Sequence, residues 1–324
     1  MWRIVYLHPL SPISTWPRSD TIFGAVCWAL RALYGTDGLM GWLDRFSSDD
    51  PPFIPSSAFP FTRSDGKTIR FLPKPLSLLP QGDGGMEEKD AIKILKRASF
   101  ISEGMLREMP ETNEFPSLLT KGDIVISGEC MMWRRERAKG EIYSRRIVRH
   151  TSVDRVMLSG AEGLLFYEEQ ISFSSGSGLY FMAKVSQDFP LEPAMRYLEH
   201  TGIGGNRSVG KGHYRIEISE IESPEQESMG EGRVMLLSRC IPHPDEFDWE
   251  DEGSAYRVIT LRPKLESKFT RAGQPLYKGI IRALAEGSVL KPIHPKPFYG
   301  RLVPAVDRIL HNGLSLAMRG LGGE

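Results

Sequence analysis

A glycine-rich segment over residues 201–212 carries the residue types best suited to binding an anion. It has the sequence T-G-I-G-G-N-R-S-V-G-K-G and contains five glycines: Gly202, Gly204, Gly205, Gly210 and Gly212. Glycine adopts positive φ and has no Cβ, so such a loop can bring successive backbone N–H groups against a ligand as an anion-binding nest. Arg207 and Lys211 add the positive charge that phosphate favours. The segment therefore predicts a phosphate-binding loop, with a purely structural glycine loop as the alternative.

The loop does not match the two common nucleotide-binding patterns. Residues 205–211 spell G-x-x-x-x-G-K, but Gly212 stands where a P-loop has the Ser or Thr that binds magnesium. A P-loop also runs from strand to helix, so that phosphate lies at a helix N-terminus, whereas here the predicted helix comes first. In the dinucleotide pattern G-x-G-x-x-G, Arg207 occupies the place of the third glycine. The sequence therefore argues against an NTP or dinucleotide site and predicts no cofactor.

The N-terminal segments predict a strand followed by a helix. Residues 2–8 are rich in β-branched and aromatic side chains and stop at Pro9, which is typical of a strand. A helix is expected to begin at Ser19 or Asp20, to carry one apolar stripe as far as Tyr34 and to end at Gly35. This order begins both a ferredoxin-like βαββαβ unit and a Rossmann unit.

The segments nearer the loop predict the elements that position it. Residues 164–173 and 178–185 are strand-like runs on either side of Ser-Ser-Gly-Ser, which predicts a hairpin. A short helix is expected over residues 191–199, and an alternating strand over residues 213–219 follows the loop. Farther on, residues 280–286 are compatible with a helix.

Composition limits the class of protein. The chain has 324 residues, enough for roughly two domains, and its 41 basic and 41 acidic residues give no net charge. Any nucleic-acid contact must therefore come from local patches. Three cysteines without a C-x-x-C pair favour a reducing compartment, with no disulfide and no metal site. Because no apolar run is long enough to cross a membrane, we expect a cytoplasmic protein without a membrane partner.

Residues 133–149 form the segment that we single out for positive charge. Seven basic residues against two acidic ones give +5, and Trp133 and Tyr143 supply rings on which bases can stack. The basic residues are Arg134, Arg135, Arg137, Lys139, Arg145, Arg146 and Arg149. An RNA-contacting surface is one interpretation, and a solvated charged face is the other.

A helix, then G-x-G-G-x-[KR]-S-x-G-x-G, then a strand resembles the glycine-rich loop of the RAMP superfamily of CRISPR RNA-binding proteins. Other pieces resemble one branch, the fourth Csm subunits of type III-A interference complexes. These pieces are residues 19–25 (S-D-T-I-F-G-A), 72–75 (L-P-K-P), 149–151 (R-H-T) and 162–166 (E-G-L-L-F). The match runs from about residue 2 to residue 219, and the last hundred residues match only loosely. Lys211 stands where the family more often has an aromatic residue.

The resemblance implies an α+β fold of two ferredoxin-like (RRM-type) βαββαβ domains. The first would span residues 1–222, with a long insertion at about 75–160 and the glycine-rich loop before its last strand. A degenerate second domain would span residues 223–324. The implied function is that of a non-catalytic subunit that holds the 5′ repeat-derived tag of the guide RNA. It would bridge the large palm-domain subunit to the row of backbone RAMP paralogues in antiviral defence.

On this basis we expect three tiers of RNA-contacting residues and no catalytic residue. The loop supplies the phosphate cradle of Gly202, Gly204, Gly205, Arg207, Ser208 and Lys211. The second tier is Arg145, Arg146, Arg149 and His150, and the third is Arg18 and Ser19 before the first helix. Each side chain could instead be an ordinary surface group.

Two other functions remain open from the sequence. Some RAMP proteins cleave repeat RNA without a metal, and His8, His200 and His213 could move protons around a 2′-OH attack. The chain could also be an assembly scaffold that touches RNA little. The acidic run at residues 245–252 and the proline-rich stretch at 292–304 would then be docking surfaces.

Overall fold

The computed structural model describes most of the chain, and it contains five α-helices and eighteen strands among the described residues. The described residues are 1–46, 50–78, 86–108, 114–136, 138, 140–154, 159–222, 232–265, 277–306 and 309–319. The helices are α1 (Ser19–Arg45), α2 (Met86–Arg97), α3 (Glu103–Arg107), α4 (Phe115–Lys121) and α5 (Leu191–Thr201).

The strands follow in chain order. The first eleven are β1 (Trp2–Pro9), β2 (Phe53–Pro55), β3 (Phe59–Ser64), β4 (Lys67–Pro73), β5 (Phe100–Ser102), β6 (Ile124–Ser127), β7 (Cys130–Trp133), β8 (Tyr143–Asp154), β9 (Ser159–Phe173), β10 (Ser177–Val185) and β11 (Tyr214–Ile221). The remaining seven are β12 (Val234–Leu236), β13 (Val258–Leu261), β14 (Ile281–Leu284), β15 (Val289–Leu290), β16 (Leu302–Val306), β17 (Ile309–Asn312) and β18 (Ala317–Arg319).

A nine-stranded sheet is the framework of the molecule, in the order β11-β1-β10-β3-β4-β5-β7-β6, with β2 also paired to β10. Strand β1, next to the edge strand β11, is antiparallel to both neighbours, so Tyr6 lies opposite Tyr180 on one side and Glu217 on the other. In chain order, α1 follows β1 and α5 precedes β11, and the two helices pack against each other. The fold is therefore mixed α+β, as predicted, with one large sheet and few helices.

The apolar stripe of α1 explains why this helix forms on the sheet. Ile22, Val26 and Leu30 are buried in the same core cluster as Leu7 of β1, and burying each such side chain stabilises the fold by about 1.5–3 kcal/mol. Gly35 has φ +76° and ψ −178° inside α1, so regular helix stops there as expected. A second helical segment, which the sequence did not predict, continues to Arg45.

The predicted hairpin between β9 and β10 is wrong. β9 pairs with β8 over most of its length and forms a separate two-stranded ribbon, which we call the β8–β9 hairpin. β10 instead lies between β1 and β3, so both of its edges are already hydrogen-bonded. Nearly every side chain of β10 is buried. The local Ser-Ser-Gly-Ser turn therefore joins two different sheets.

The described residues from 232 to 319 contain strands and no helix. The helix expected near residues 280–286 is wrong: this segment holds β14, in which Ile281 and Ala283 are buried while Arg282 between them is exposed. Alternation with period two favours a strand over a helix. Residues 223–231, where the second domain is expected to begin, lie outside the described residues, and the domain boundaries stay predictions.

Buried charges join this C-terminal part to the N-terminus of α1. Arg239 donates a hydrogen bond to Asp20 Oδ2 at 3.1 Å, and Ser57 Oγ donates to Glu286 Oε1 at 2.5 Å. Asp20 and Glu286 are each less than a tenth exposed. Removing one partner of such a pair leaves an uncompensated buried charge, so the two parts of the chain depend on each other for stability.

Candidate functional site

The glycine-rich loop lies between α5 and β11, and positive φ angles give it its shape. Gly202 has φ +80°, Gly204 +98° and Gly210 +82°, values that residues with a Cβ rarely adopt. Asn206, at +57°, is one of the few side chains that tolerate this region. Ile203 donates its N–H to Gly212 O at 2.9 Å and closes the base of the loop.

The connection between β1 and α1 holds the loop in place, and the sequence analysis missed these contacts. Gly205 donates its N–H to Thr15 Oγ1 at 3.0 Å, and Ser14 Oγ donates to Gly205 O at 3.3 Å. Gly212 donates to Pro12 O at 3.3 Å. A cluster of hydroxyl residues after the first strand was the available signal.

These internal bonds restrict the predicted phosphate cradle. The N–H groups of Gly205, Val209, Gly210, Lys211 and Gly212 all have acceptors within the protein. In the described part of the chain, those of Gly204, Asn206 and Ser208 have none. Asn206 and Ser208 are exposed, so their N–H groups can reach an anion whereas that of Gly205 is already used.

The two cations of the loop, Arg207 and Lys211, lie at the start of a short turn and just after it. Arg207 opens a 3₁₀ turn, Arg207–Val209, and its stem lies alongside Gly202, where an added Cβ would come within 3.3 Å of Arg207 Cγ. Lys211 follows the turn and is half-buried. Two positive side chains thus lie close in sequence to the N–H groups of Asn206 and Ser208, and this combination of donors suits a phosphate.

Part of the β8–β9 hairpin lies against this loop. The side-chain amide of Asn206 donates to Glu168 Oε1, and His150 Nε2 lies 3.2 Å from Glu168 Oε2. Strand side chains alternate between faces, and the register places Arg146 opposite Gln170 and His150 opposite Phe166. Arg146 and His150 therefore share the hairpin face of Glu168, toward the glycine loop. His150 also stacks on Phe166, with ring centroids 5.3 Å apart.

The structure separates Arg145 and Arg149 from the loop. Both belong to the opposite face of the hairpin, where Arg149 lies across from Tyr167. Arg145 pairs with Glu129 at 3.0 Å and with Glu169 at 3.5 Å. The same face exposes apolar side chains, with Ile147 76% and Tyr167 66% exposed. The second predicted tier is thus divided between two surfaces.

The third tier is held by internal contacts. Ser19 is fully buried, and its Oγ accepts the N–H of Arg239 at 3.1 Å. Its side chain has no surface to offer RNA, so the prediction for Ser19 is corrected to a structural role. Arg18 lies 3.7 Å from Glu286 and about a third of its side chain is exposed, which ties it chiefly to the junction with the C-terminal part.

The three histidines proposed for acid–base chemistry do not form one cluster among the described residues. His8 Nε2 lies 3.0 Å from Glu217 Oε2, a carboxylate that also accepts from Arg63 at 2.9 Å. Burial lowers the pKa of His8, and the hydrogen bond to the Glu217 carboxylate opposes this shift. Among the described residues, no side-chain hydrogen bond joins His8 to His200 or His213. Within the described part of the chain no group of His, Cys, Asp and Glu could hold a metal ion, and no helix could span a membrane.

Comparison with known proteins gives the family context. No family model matches the chain. The chain is 29% identical over 254 residues to the protein named CRISPR system Cms protein Csm4 of Thermococcus onnurineus, covering 76% of each chain. It is 25% identical over 295 residues to the protein of that name from Streptococcus thermophilus, covering 88% of this chain and 83% of the relative.

Solved structures show the same fold. A chain of the Csm3–Csm4 subcomplex of a type III-A CRISPR-Cas interference complex superposes with a TM-score of 0.65 at 18% identity, covering 97% of this chain and 98% of that one. A chain of a Csm1–Csm4 cassette in complex with cA4 superposes with a TM-score of 0.60 at 22% identity, covering 99% of both. By sequence the chain is Csm4-like, and its fold is that of the matched chains in these CRISPR complexes.

Proposed function

We propose that this protein is the subunit that holds the 5′ repeat-derived tag of the guide RNA in a cytoplasmic type III-A effector complex. The observation that carries the proposal is the loop after α5. Asn206 and Ser208 are exposed residues whose N–H groups have no acceptor among the described residues, and Arg207 lies between them with Lys211 just after the turn. A fixed single-stranded tag needs its phosphates held in register, and backbone N–H groups with Arg and Lys are the donors that do this.

The face of the β8–β9 hairpin that carries Arg146 and His150 extends the proposed site. Because Glu168 joins this face to Asn206, an RNA strand leaving the loop would next meet the Arg146 guanidinium and the stacked rings of His150 and Phe166. Stacking on such rings is how unpaired bases are commonly held. We place Arg145 and Arg149, on the opposite face, in contact with RNA or protein beyond the tag.

The proposed partners follow from the relatives. Solved structures contain Csm4 with Csm1 and Csm4 with Csm3, and we propose that this chain likewise bridges the large palm-domain subunit to a backbone subunit. We further propose that the first part of the chain is a ferredoxin-like domain. The order β11-β1-β10-β3, with α1 after β1 and α5 before β11, supports this. A degenerate second ferredoxin-like domain in the C-terminal part remains a prediction.

We propose a non-catalytic role. Of the three histidines considered for acid–base chemistry, His8 has a carboxylate partner, Glu217, which also accepts a hydrogen bond from Arg63. This pair is the observation that favours ribonuclease activity as the alternative. The scaffold alternative has less support from the acidic run. Glu246 there is only 3% exposed and accepts the N–H of Gly300 at 2.9 Å, and Asp251 pairs with Arg233 at 2.7 Å. These two acids are therefore engaged by other segments of the same chain.

Co-purification from the native cell tests the proposed function. The bound proteins are identified and the bound RNA is sequenced, with a strain lacking the guide-RNA array as the control. We expect one large and one backbone subunit, and RNA that begins with a common repeat-derived tag. Assembly of the same proteins without RNA would favour the scaffold. Cleavage of repeat RNA by the purified chain without metal, leaving a 2′,3′-cyclic end, would favour the nuclease.

A further inference from the structure

The pair of strands β13 and β14, with the residues that flank them, carries a concentration of positive charge far along the chain from the glycine loop. The described residues 254–265 and 277–285 contain five basic residues and no acidic one. These are Arg257, Arg262, Lys264, Lys278 and Arg282. In a chain with no net charge, this local excess marks a surface for a polyanion.

The register of the pair shows which side chains share its outer face. Thr260 lies opposite Arg282, and Leu261 lies opposite Ile281. Val258, Thr260, Arg262 and Lys264 are all exposed, whereas the residues between them are half-buried. The other face packs Ile259, Leu261, Ile281 and Ala283 against Ile241, Val303 and Ala305. The pair of strands is therefore amphipathic, with an apolar face packed against the rest of the protein and a basic face exposed to solvent.

Lys278 differs from the other four cations of this region, because it is held inside the protein. Its Nζ donates to Leu310 O at 3.2 Å, and burial lowers its pKa. The other four cations are exposed and have no acidic partner among the described residues. Elsewhere in this part of the chain, Arg233, Lys291 and Lys296 each pair with an acid of the 245–252 run. The three acids in these pairs are therefore bound to cations outside the outer face of β13 and β14.

An aromatic ring orders part of this surface. Arg262 lies 5.1 Å and Lys264 5.8 Å from the ring centroid of Tyr277, which bridges to Lys264 at the end of the strands. Cation–π contacts of this kind hold both side chains near the ring. Arg262 and Lys264 follow directly after β13, and Arg282 lies opposite Thr260 within the pair of strands, so the three cations belong to one exposed surface.

We infer that the outer face of β13 and β14 is a second RNA-binding surface, which holds the backbone of single-stranded RNA without regard to sequence. The inference rests on the proposed function only in taking RNA as the polyanion, and it requires neither the glycine loop nor the tag. Exposed cations on one surface with an aromatic ring and the exposed aliphatic side chains of Val258 and Ile280 suit the phosphates and flat bases of a single strand. An acidic peptide would use the charges but not these apolar groups.

The test uses the full-length protein and a labelled uridine homopolymer, which contains no tag. The variant Arg262→Gln with Arg282→Gln removes two charges from the outer face, where neither side chain is buried. Lys67→Gln with Arg97→Gln removes two exposed charges elsewhere and serves as the matched control. We expect the first variant to bind about tenfold more weakly and its slope of log K against log salt to shrink by about 1.4, as expected for two lost phosphate contacts on a single strand. A thermal unfolding midpoint close to that of the wild type in each variant checks that both variants are folded.

Three outcomes decide the inference. Equal loss of affinity in the Arg262→Gln, Arg282→Gln variant and in the control would overturn it, because only net charge would then matter. Loss of binding to polyglutamate with unchanged binding to the RNA would also overturn it, in favour of an acidic protein partner. The pair Arg207→Ala and Lys211→Ala separates the two RNA sites. If this loop variant binds tagged RNA more weakly while the Arg262→Gln, Arg282→Gln variant still binds the homopolymer like wild type, only the second surface is excluded. If the loop variant keeps its affinity for tagged RNA while the Arg262→Gln, Arg282→Gln variant binds the homopolymer more weakly, only the loop is excluded.

Discussion

Asn206 of the glycine-rich loop donates its side-chain amide to the Glu168 carboxylate of the β8–β9 hairpin, and Glu168 also contacts His150. This contact joins two segments that are 38 residues apart in sequence into one surface. Asn206 also has φ +57°. The same residue therefore supplies both the left-handed backbone conformation of the loop and the side-chain contact with the hairpin. The relationship makes the hairpin face a continuation of the loop.

Asn206→Gly tests this link. Glycine keeps the positive φ but removes the amide, so we expect faster amide hydrogen exchange in residues 204–210 and in the facing part of the hairpin, with little change in global stability. Hydrogen exchange followed by mass spectrometry measures this, with Glu169→Gln, on the opposite face of the hairpin, as the variant that alters the hairpin without touching Glu168. Unchanged exchange in the loop would show that the Glu168 contact does not hold it.

Gly212→Ala and Gly210→Ala form a matched pair that tests how the loop is built. Both glycines have positive φ, but a Cβ at Gly212 would overlap the carbonyl of Ile203, whereas Gly210 has open space around it. We expect Gly210→Ala to lower the free energy of unfolding by about 1 kcal/mol, from φ strain alone. Gly212→Ala should cost at least about 2 kcal/mol more, since backbone must move. Urea unfolding that gave equal losses would contradict this geometry.

Ser19→Ala separates a structural role from an RNA role. Removing the buried Oγ leaves the Arg239 N–H without its acceptor, and we expect a loss of about 1–2 kcal/mol in unfolding free energy with unchanged affinity for tagged RNA. Ser208→Ala, on the exposed loop, should keep its stability. A loss of RNA affinity in folded Ser19→Ala would restore this residue to the RNA site.

Acid should destabilise the protein through His311. This side chain is only 2% exposed, and burial lowers its pKa to about 4 even though Asp20 lies 3.8 Å away. Lys278 and Arg239 also oppose its charged form. Because the folded pKa lies below the ordinary value of about 6.5, stability is full above pH 6.5 and falls as pH drops toward 4, by up to about 3 kcal/mol. Urea unfolding at pH 7 and pH 5 should show this slope, and His311→Leu should flatten it. An equal slope in the variant would assign the pH dependence to other groups.

Local patterns predicted some elements because the same residues that form them also pack them. The stripe from Ile22 to Leu30 predicted α1 and is the face that meets the sheet, and Gly35 marked the break. The hairpin of β9 with β10 failed because a turn signal is local. Pairing of β10 is decided by β1, whose Leu7 lies opposite Leu179 far along the chain.

The candidate site was predictable in its residue types but not in its hydrogen bonds. Glycines with Arg207 and Lys211 indicated a loop for an anion, yet the use of the Gly205 N–H by Thr15, 190 residues away, depends on the tertiary fold. The division of Arg145 and Arg146 between two faces follows from strand alternation only once the partner strand is known. Ser19 was misassigned because an N-terminal helix position looks exposed until the C-terminal part of the chain covers it.

The affinity of the Arg207→Ala, Lys211→Ala double variant for tagged guide RNA tests the proposed function most directly. Titration of wild type and variant at several salt concentrations, with Lys67→Ala and Arg97→Ala as the charge-matched control, gives the affinity and its salt slope. We predict weaker binding by about tenfold or more and a slope reduced by about 1.4, while the control keeps nearly wild-type values. Unchanged affinity and slope in the double variant would contradict the account and remove the glycine-rich loop from the RNA site.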